Sequence, residues 1–307
     1  MGKTAYIFPG QASQTVGMGQ DLYESYDLAK EYYQKADEII GKSISKISFD
    51  GPMERLTETH ITQPAIFTLS VILYQLLDET ELNPEMVAGH SLGEYSALVA
   101  AGVFDFETGL RLVKTRSESM QKACEEREGT MAAIIGLEKE KVAEACGQAA
   151  SHGVVQPANY NSPGQIAISG EVDAVRNVME LAKDMGARRS IELVVSGAFH
   201  SPLMSSAKEA MKEALEPVKF NTARIPVYVN VSAKAETDAE SLKQALIDQI
   251  DHPVLWVQTI QNMIDDGADD FREVGPGTVL TGLMKRINKE VECESISSYR
   301  DIVALKG

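Results

Sequence analysis

Met86-Val87-Ala88-Gly89-His90-Ser91-Leu92-Gly93-Glu94 is the stretch on which the fold turns. A short apolar run leads into Gly-x-Ser-x-Gly, and a helix-like segment, Glu94 to Ala101, follows. Strand, sharp turn and helix form the context of a nucleophile elbow, in which the turn lifts a serine hydroxyl clear of the backbone. A side chain at position 89 or 93 would crowd such a turn. The free N–H groups and partial positive charge of a helix N-terminus would face an oxyanion forming at the serine. Ser91 is therefore a candidate nucleophile for acyl transfer. The same pentapeptide also fits an ordinary strand-to-helix turn with Ser91 as an N-cap.

Working outward, Thr4–Phe8 reads as a buried strand ended by Pro9-Gly10, and Gln63–Leu77 as a helix apolar on most of its circumference. Glu107–Cys124 reads as an amphipathic helix, and Phe271–Val274 as a strand before a Gly275-Pro276-Gly277 turn and a helix from Thr278. Strands alternating with helices predict an α/β fold, a hydrolase-like core with a mostly parallel sheet.

One stretch departs from that rhythm. Met131–Ile135, Val154–Tyr160, Gln165–Ser169 and Arg188–Val195 read as strands, with helices over Lys139–Ala150 and Val172–Met185. The order β-α-β-β-α-β is that of a ferredoxin-like unit. It predicts an insertion over residues 128–196 between core segments 1–127 and 197–307, with the charged run Glu125–Glu128 as a solvated linker.

The 307 residues are 44% hydrophobic and 24% charged, which suits a globular chain with a large core. A net charge of −16 argues against nucleic acid as a partner, since phosphate binding needs a basic surface. Cys124, Cys146 and Cys293 are too scattered for a metal site or a disulfide framework. The N-terminus lacks the apolar region of a signal peptide, and the longest apolar run, Pro64–Leu77, is broken by Thr68, Ser70 and Gln75. A cytoplasmic protein without membrane contact is expected.

A serine hydroxyl needs a positioned base. Of five histidines, His90 adjoins Ser91, where neighbouring side chains at a turn diverge. His60, His152 and His252 lie in polar or turn settings. His200 follows an apolar strand and Ser196-Gly197-Ala198 and precedes a helix near Pro202, a junction suited to an active site. No acidic residue between 91 and 200 ends an apolar strand as a buried triad acid would, so a backbone carbonyl could orient His200 instead. On the Gly109–Lys122 helix, Arg116 falls within the arc of Leu112 and Met120, opposite Arg111, Lys114, Glu118 and Lys122. An inward guanidinium needs an anionic partner: an internal Asp or Glu, or a carboxylate-bearing substrate held bidentately.

With these residues in place, the chain resembles the malonyl-CoA:acyl carrier protein transacylases of fatty-acid synthesis and the related acyltransferase domains of polyketide synthases. The resemblance rests on Phe8-Pro9-Gly10-Gln11-Ala12-Ser13-Gln14, Thr62-Gln63-Pro64-Ala65, Gly89 to Glu94, Arg116 with Met120, Asn159-Tyr160-Asn161-Ser162-Pro163-Gly164-Gln165 and Gly197-Ala198-Phe199-His200-Ser201. It implies that Ser91 is acylated and that His200 is its base, oriented by the carbonyl of Gln249. It implies an oxyanion hole of the Gln11 and Leu92 N–H groups, and an Arg116 clamp on the malonyl carboxylate. Met120, Phe199, His90, Asn159 and Asn161 are the further substrate-binding positions it suggests, with bulky Phe199 disfavouring methylmalonyl. No tightly bound cofactor is implied: a coenzyme A thioester is the substrate, and the phosphopantetheine thiol of acyl carrier protein is the acceptor. Because such carriers are acidic, Lys183, Arg188, Arg189, Lys285 and Arg286 are candidates for a local basic docking patch. A polyketide-serving acyltransferase, a serine esterase and a patatin-like lipase are the competing readings, the last two requiring an Asp partner for the histidine. A non-enzymatic carrier-binding scaffold is a further alternative, which the Ser91, His200 and Arg116 set argues against.

Overall fold

The computed structural model describes residues 2–78 and 82–306; the outermost residues of the expected core, 1 and 307, lie outside this range. Among the described residues, ten strands form two sheets. The larger holds β1 (Lys3–Phe8), β2 (Met86–Gly89), β7 (Val227–Tyr228), β8 (Ala235–Glu236), β9 (Ala268–Val274) and β10 (Glu292–Ile296), in the order β10-β9-β1-β2-β7-β8. All pairings in it are parallel except that of β7 with β8.

A parallel sheet covered on both faces shows in its side-chain alternation. Along β1, Tyr6 and Phe8 enter the main core with Phe67 and Leu110, while Ala5 and Ile7 enter a second cluster with Trp256 and Phe271. Along β2, Val87 joins the first cluster, and Met86 and Ala88 join the second. The loops leaving the carboxyl ends of the adjacent strands β1 and β2 carry Gln11 and Ser91, the end of an open α/β sheet where ligands bind.

The smaller sheet holds β3 (Thr130–Ile135), β4 (Val155–Ser162), β5 (Gln165–Gly170) and β6 (Arg189–Glu192), antiparallel in the order β4-β5-β3-β6. This is the ferredoxin-like topology expected from the element order. Ala132, Ile134, Ile166 and Ile168 pack with Val142, Val175 and Val178 of helices Lys139–Gln148 and Val172–Asp184. Met131 and Ala167, one residue out of phase, point into the main core instead. The sheet therefore presents one face to its own helices and the other to the elbow.

Two expectations change. The apolar helix is Thr59–Asp78, longer than the apolar run suggested; by length and composition it could cross a membrane, yet 89% of its apolar window is buried inside the protein. The last strand of the small sheet is short, Arg189–Glu192; Leu193 N–H still bonds to Met131 O, and Val194 beyond it is fully exposed.

Candidate active site

Ser91 takes φ = 51°, a left-handed conformation that a non-glycine residue adopts only when its surroundings impose it. The surroundings are glycines. A Cβ on Gly89 would overlap the Gly93 carbonyl, and one on Gly93 would overlap the Phe8 carbonyl, so the elbow closes on itself and onto β1. Asn230, just beyond β7, clamps the turn: its Oδ1 accepts from Ser91 N–H at 2.7 Å, and its Nδ2 donates to Gly89 O at 2.7 Å. The turn is thus held with Ser91 Oγ presented to a cavity of about 230 Å³.

His200 Nε2 lies 2.8 Å from Ser91 Oγ, and His200 Nδ1 lies 2.8 Å from the carbonyl oxygen of Gln249. A carbonyl only accepts, so Nδ1 carries the proton and Nε2 is free to accept from the serine. His200 is also left-handed, at φ = 58°, and Gln156 Nε2 holds its carbonyl at 2.8 Å. Burial, then the nearby Arg116 guanidinium, pushes the imidazole down to about 3, which keeps it neutral. Among the described residues no carboxylate bonds to His200. The Asp-partnered arrangement of an esterase or patatin-like lipase is therefore not the one built here.

Arg116 sits on helix Phe106–Glu126, which Asp105 caps by accepting from Thr108 N–H. Its side chain is 1% exposed. No carboxylate lies within ion-pair distance among the described residues, so the internal salt bridge considered from the sequence does not form. Neutral acceptors hold it: Nη1 donates to Gln63 Oε1 at 2.7 Å, and Nη2 to Gln249 Oε1 and Ser91 Oγ, both at 2.9 Å. The Tyr95 ring lies 5.7 Å away, and Nε has no partner among the described residues. A buried cation without a counter-charge, opening on a cavity, is poised for an anion.

The remaining expected positions converge on the same cavity. Gln11, Leu92, Met120, Phe199, His90, Asn159 and Asn161 all line it, with Met131, Ala167 and Leu193 of the small sheet as the opposite wall. Gln11 and Leu92 N–H groups have no hydrogen-bond partner among the described residues. His90 Nε2 donates to Asn161 Oδ1 at 2.8 Å, and the ring packs edge-on to Trp256. Register shifts in β4 flank Asn159 and Asn161, as bulges beside active sites commonly do. Gln63 and Glu94 fall within motifs that carry the resemblance but have no role assigned from the sequence, and Gln156 and Asn230 are not named there. A glutamine amid the apolar Thr59–Asp78 helix and a glutamate in a fully buried elbow helix were the available signals. Asn230 and Gln156 left none.

Beside this cavity lies a second, lined by Arg188, Arg189, Lys285, Arg286 and Lys289 and sharing Gln165 with the first. Arg286 donates to Gln165, joining the core to the small sheet. Lys183 stands apart and pairs with Glu180 one turn away.

An acyl transferase domain model matches residues 5–303. The malonyl CoA-acyl carrier protein transacylase of Bacillus subtilis is 43% identical over 98% of this chain and 96% of its own length. The crystal structure of an acyl carrier protein S-malonyltransferase from Vibrio cholerae superposes with a TM-score of 0.95 at 44% identity, covering 99% of each chain. A malonyl-transacylase solved in complex with its type II PKS acyl-carrier protein also reaches 0.95, at 38% identity, over 99% of this chain and 98% of that one.

Proposed function

This chain belongs to the acyl transferase family, and from that membership we propose that it moves the malonyl group of malonyl-CoA, through malonyl-Ser91, to the phosphopantetheine thiol of an acyl carrier protein, supplying extender units for fatty-acid synthesis. One observation carries the reading: a single serine oxygen meets both a neutral histidine acceptor and a buried arginine lacking a counter-charge.

Neutral His200 takes the Ser91 proton as Oγ attacks the thioester carbonyl, and the Nδ1–H bond to Gln249 O stabilises the imidazolium that forms. The developing oxyanion meets the Gln11 N–H in the loop after β1 and the Leu92 N–H at the start of the elbow helix, both without a partner among the described residues. His200 returns its proton to the departing CoA sulfur, then deprotonates the carrier thiol for the second half of a ping-pong cycle. Arg116 holds the malonyl carboxylate with two parallel donors, exchanging its neutral partners for a charged one. Met120, Phe199, His90, Asn159 and Asn161 shape the acyl pocket.

The basic cavity gives an acidic chain a positive mouth. Arg188, Arg189, Lys285 and Arg286 are the proposed docking contacts for an acidic carrier, while Lys183, already paired, is not. Residues 128–196 form the proposed insertion in a core of 1–127 and 197–307. The proposed setting is the cytoplasm, where the three thiols, none of them paired, stay reduced.

The test is incubation with malonyl-CoA, peptide mapping of the adduct, and chase with carrier thiol or water. A malonyl group on Ser91, absent in Ser91→Ala and discharged faster to thiol than to water, is expected. An adduct that persists in Ser91→Ala, or discharge to water alone, rejects the proposal.

A further inference from the structure

The glutamate that closes the elbow motif has no part in the cycle just described. Glu94 lies in the first turn of helix Gly93–Ala100, is 1% exposed and makes no ion pair among the described residues. Its Oε2 accepts from the backbone N–H of Asn230 at 2.9 Å and from Gln249 Nε2 at 3.1 Å. These two residues hold the rest of the site. Asn230 clamps Ser91 N–H and Gly89 O, whereas Gln249 reaches Arg116 through Oε1, Ser91 O through Nε2 and His200 through its backbone carbonyl.

The orientation of the Gln249 amide is the vulnerable point. A glutamine side chain turned by half a rotation exchanges its oxygen for NH₂ at almost no change in shape. Turned that way, Gln249 would aim donors at Arg116, which has only donors, and Arg116 would lose one of its three acceptors. Two acceptors on Nε2, Glu94 Oε2 and Ser91 O, oppose that rotation. Burial raises the Glu94 carboxyl to about 7, and one oxygen accepts both bonds, so the brace needs a correctly placed acceptor rather than a charge.

We propose that Glu94 is a positioning residue for acyl transfer: its carboxyl fixes the Gln249 amide and the Asn230 backbone, and through them Arg116, His200 and the Ser91 turn. This rests on the reading of Ser91 as the acylated residue.

The test measures single-turnover malonylation and acetylation of Ser91 in the full chain for wild type, Glu94→Gln, Glu94→Asp, Glu94→Met, Gln249→Ala and the double variant Glu94→Met/Gln249→Ala. Glu94→Gln, which keeps an acceptor at the same reach, should stay within about threefold of wild type. Glu94→Met should slow malonylation at saturating thioester by about tenfold or more and lower the malonyl-to-acetyl ratio, as expected for a lost buried hydrogen bond. Because the effect passes largely through Gln249, the double variant should be at most about threefold slower than Gln249→Ala alone. Fully multiplicative losses, or a Met variant with wild-type rate and selectivity, overturn the proposal. If Glu94→Met does not fold, Glu94→Asp decides: one methylene short, it should lose rate where Gln does not, and equal rates for the two overturn the brace. A wild-type enzyme that forms no malonyl-Ser91 overturns the acyl-transfer reading itself, a result separate from any ranking of the Glu94 variants.

Discussion

Arg116 Nη2 stands 2.9 Å from Ser91 Oγ, the same oxygen that His200 Nε2 meets at 2.8 Å. A guanidinium can only donate, so the serine proton has one place to go, toward His200. On the proposed reading the site is therefore arranged for proton transfer, with Arg116 resting on the Ser91 oxygen. Replacing Arg116 by Ala should lower the ratio of kcat/KM for malonyl-CoA over acetyl-CoA by about 10²-fold, the value of a charge-assisted pair of roughly 3 kcal/mol. Competition between the two thioesters measures it, and an unchanged ratio rejects the clamp.

His200 should make stability depend on pH in a defined direction. Its folded value of about 3 lies below the ordinary 6.5, so between these limits the unfolded chain binds a proton that the folded chain refuses. Stability from this group is complete above about 6.5 and is lost as pH falls toward 3, at up to about 1.4 kcal/mol per pH unit. Glu94 acts in the opposite sense. Raised from 4.5 to about 7, it contributes stability below 4.5 that is lost as pH rises through 7. Urea unfolding of wild type and His200→Gln at pH 4, 5, 6 and 7 isolates the histidine. The wild type should lose ground to the variant on acidification, and a flat difference would show that the imidazole is not held neutral.

Gly89→Ala and Gly93→Ala should each cost roughly 3–5 kcal/mol or prevent folding, because the added methyl meets backbone that cannot move aside. Gly147→Ala is the matched control. It lies within helix Lys139–Gln148 with open space around the added carbon, so it should gain about 0.5–1 kcal/mol. Denaturant midpoints for the three variants give the comparison.

Phe199→Ala should raise kcat/KM for methylmalonyl-CoA relative to malonyl-CoA. Phe199 is buried and lines the cavity beside His200, and on the proposed reading its ring would take the space an α-methyl needs. One methyl is worth about 1–3 kcal/mol, so the ratio should shift by roughly 10–200-fold. A shift under threefold would place specificity elsewhere in the pocket.

The parts of the site that sequence makes legible are those with local signatures. The elbow announces itself because glycines, a serine and a flanking strand must be contiguous. Arg116 announces itself because a charge on an apolar helical arc breaks a period. Gln249 left no such mark, since its backbone carbonyl serves His200 whatever the side chain; only resemblance pointed there. Its side chain, which bridges Arg116, Ser91 and Glu94, was not foreseen at all. Asn230 was invisible for a related reason: its strand, Val227–Tyr228, is two residues long and carries no periodicity. Of the helices between Gln20 and Leu56, Gln20–Ser25, Ile44–Asp50 and Met53–Leu56 are too brief to carry a period, whereas Asp27–Ile40, with Ala29, Tyr33, Ala36 and Ile40 buried along one face, carries a helical pattern that the sequence reading passed over. Parallel pairings such as β1 with β9 join residues more than 260 positions apart, which no local window can reveal.

The small sheet begins and ends at one place. A Cβ on Gly129 would press on Ala198, and one on Gly197 on Cys124, so the two points where the chain crosses from the core lie side by side. Two genetic crossovers, one at each glycine, would therefore exchange the whole sheet, together with the Met131 and Ala167 side chains that it contributes to the main core. Met131, Asn159, Asn161, Ala167 and Leu193 would travel with it, while Ser91, Arg116, His200 and Gln249 stayed behind. One wall of the cavity and the residues of the proposed reaction are thus written on separable stretches of the gene, and one can be inherited without the other.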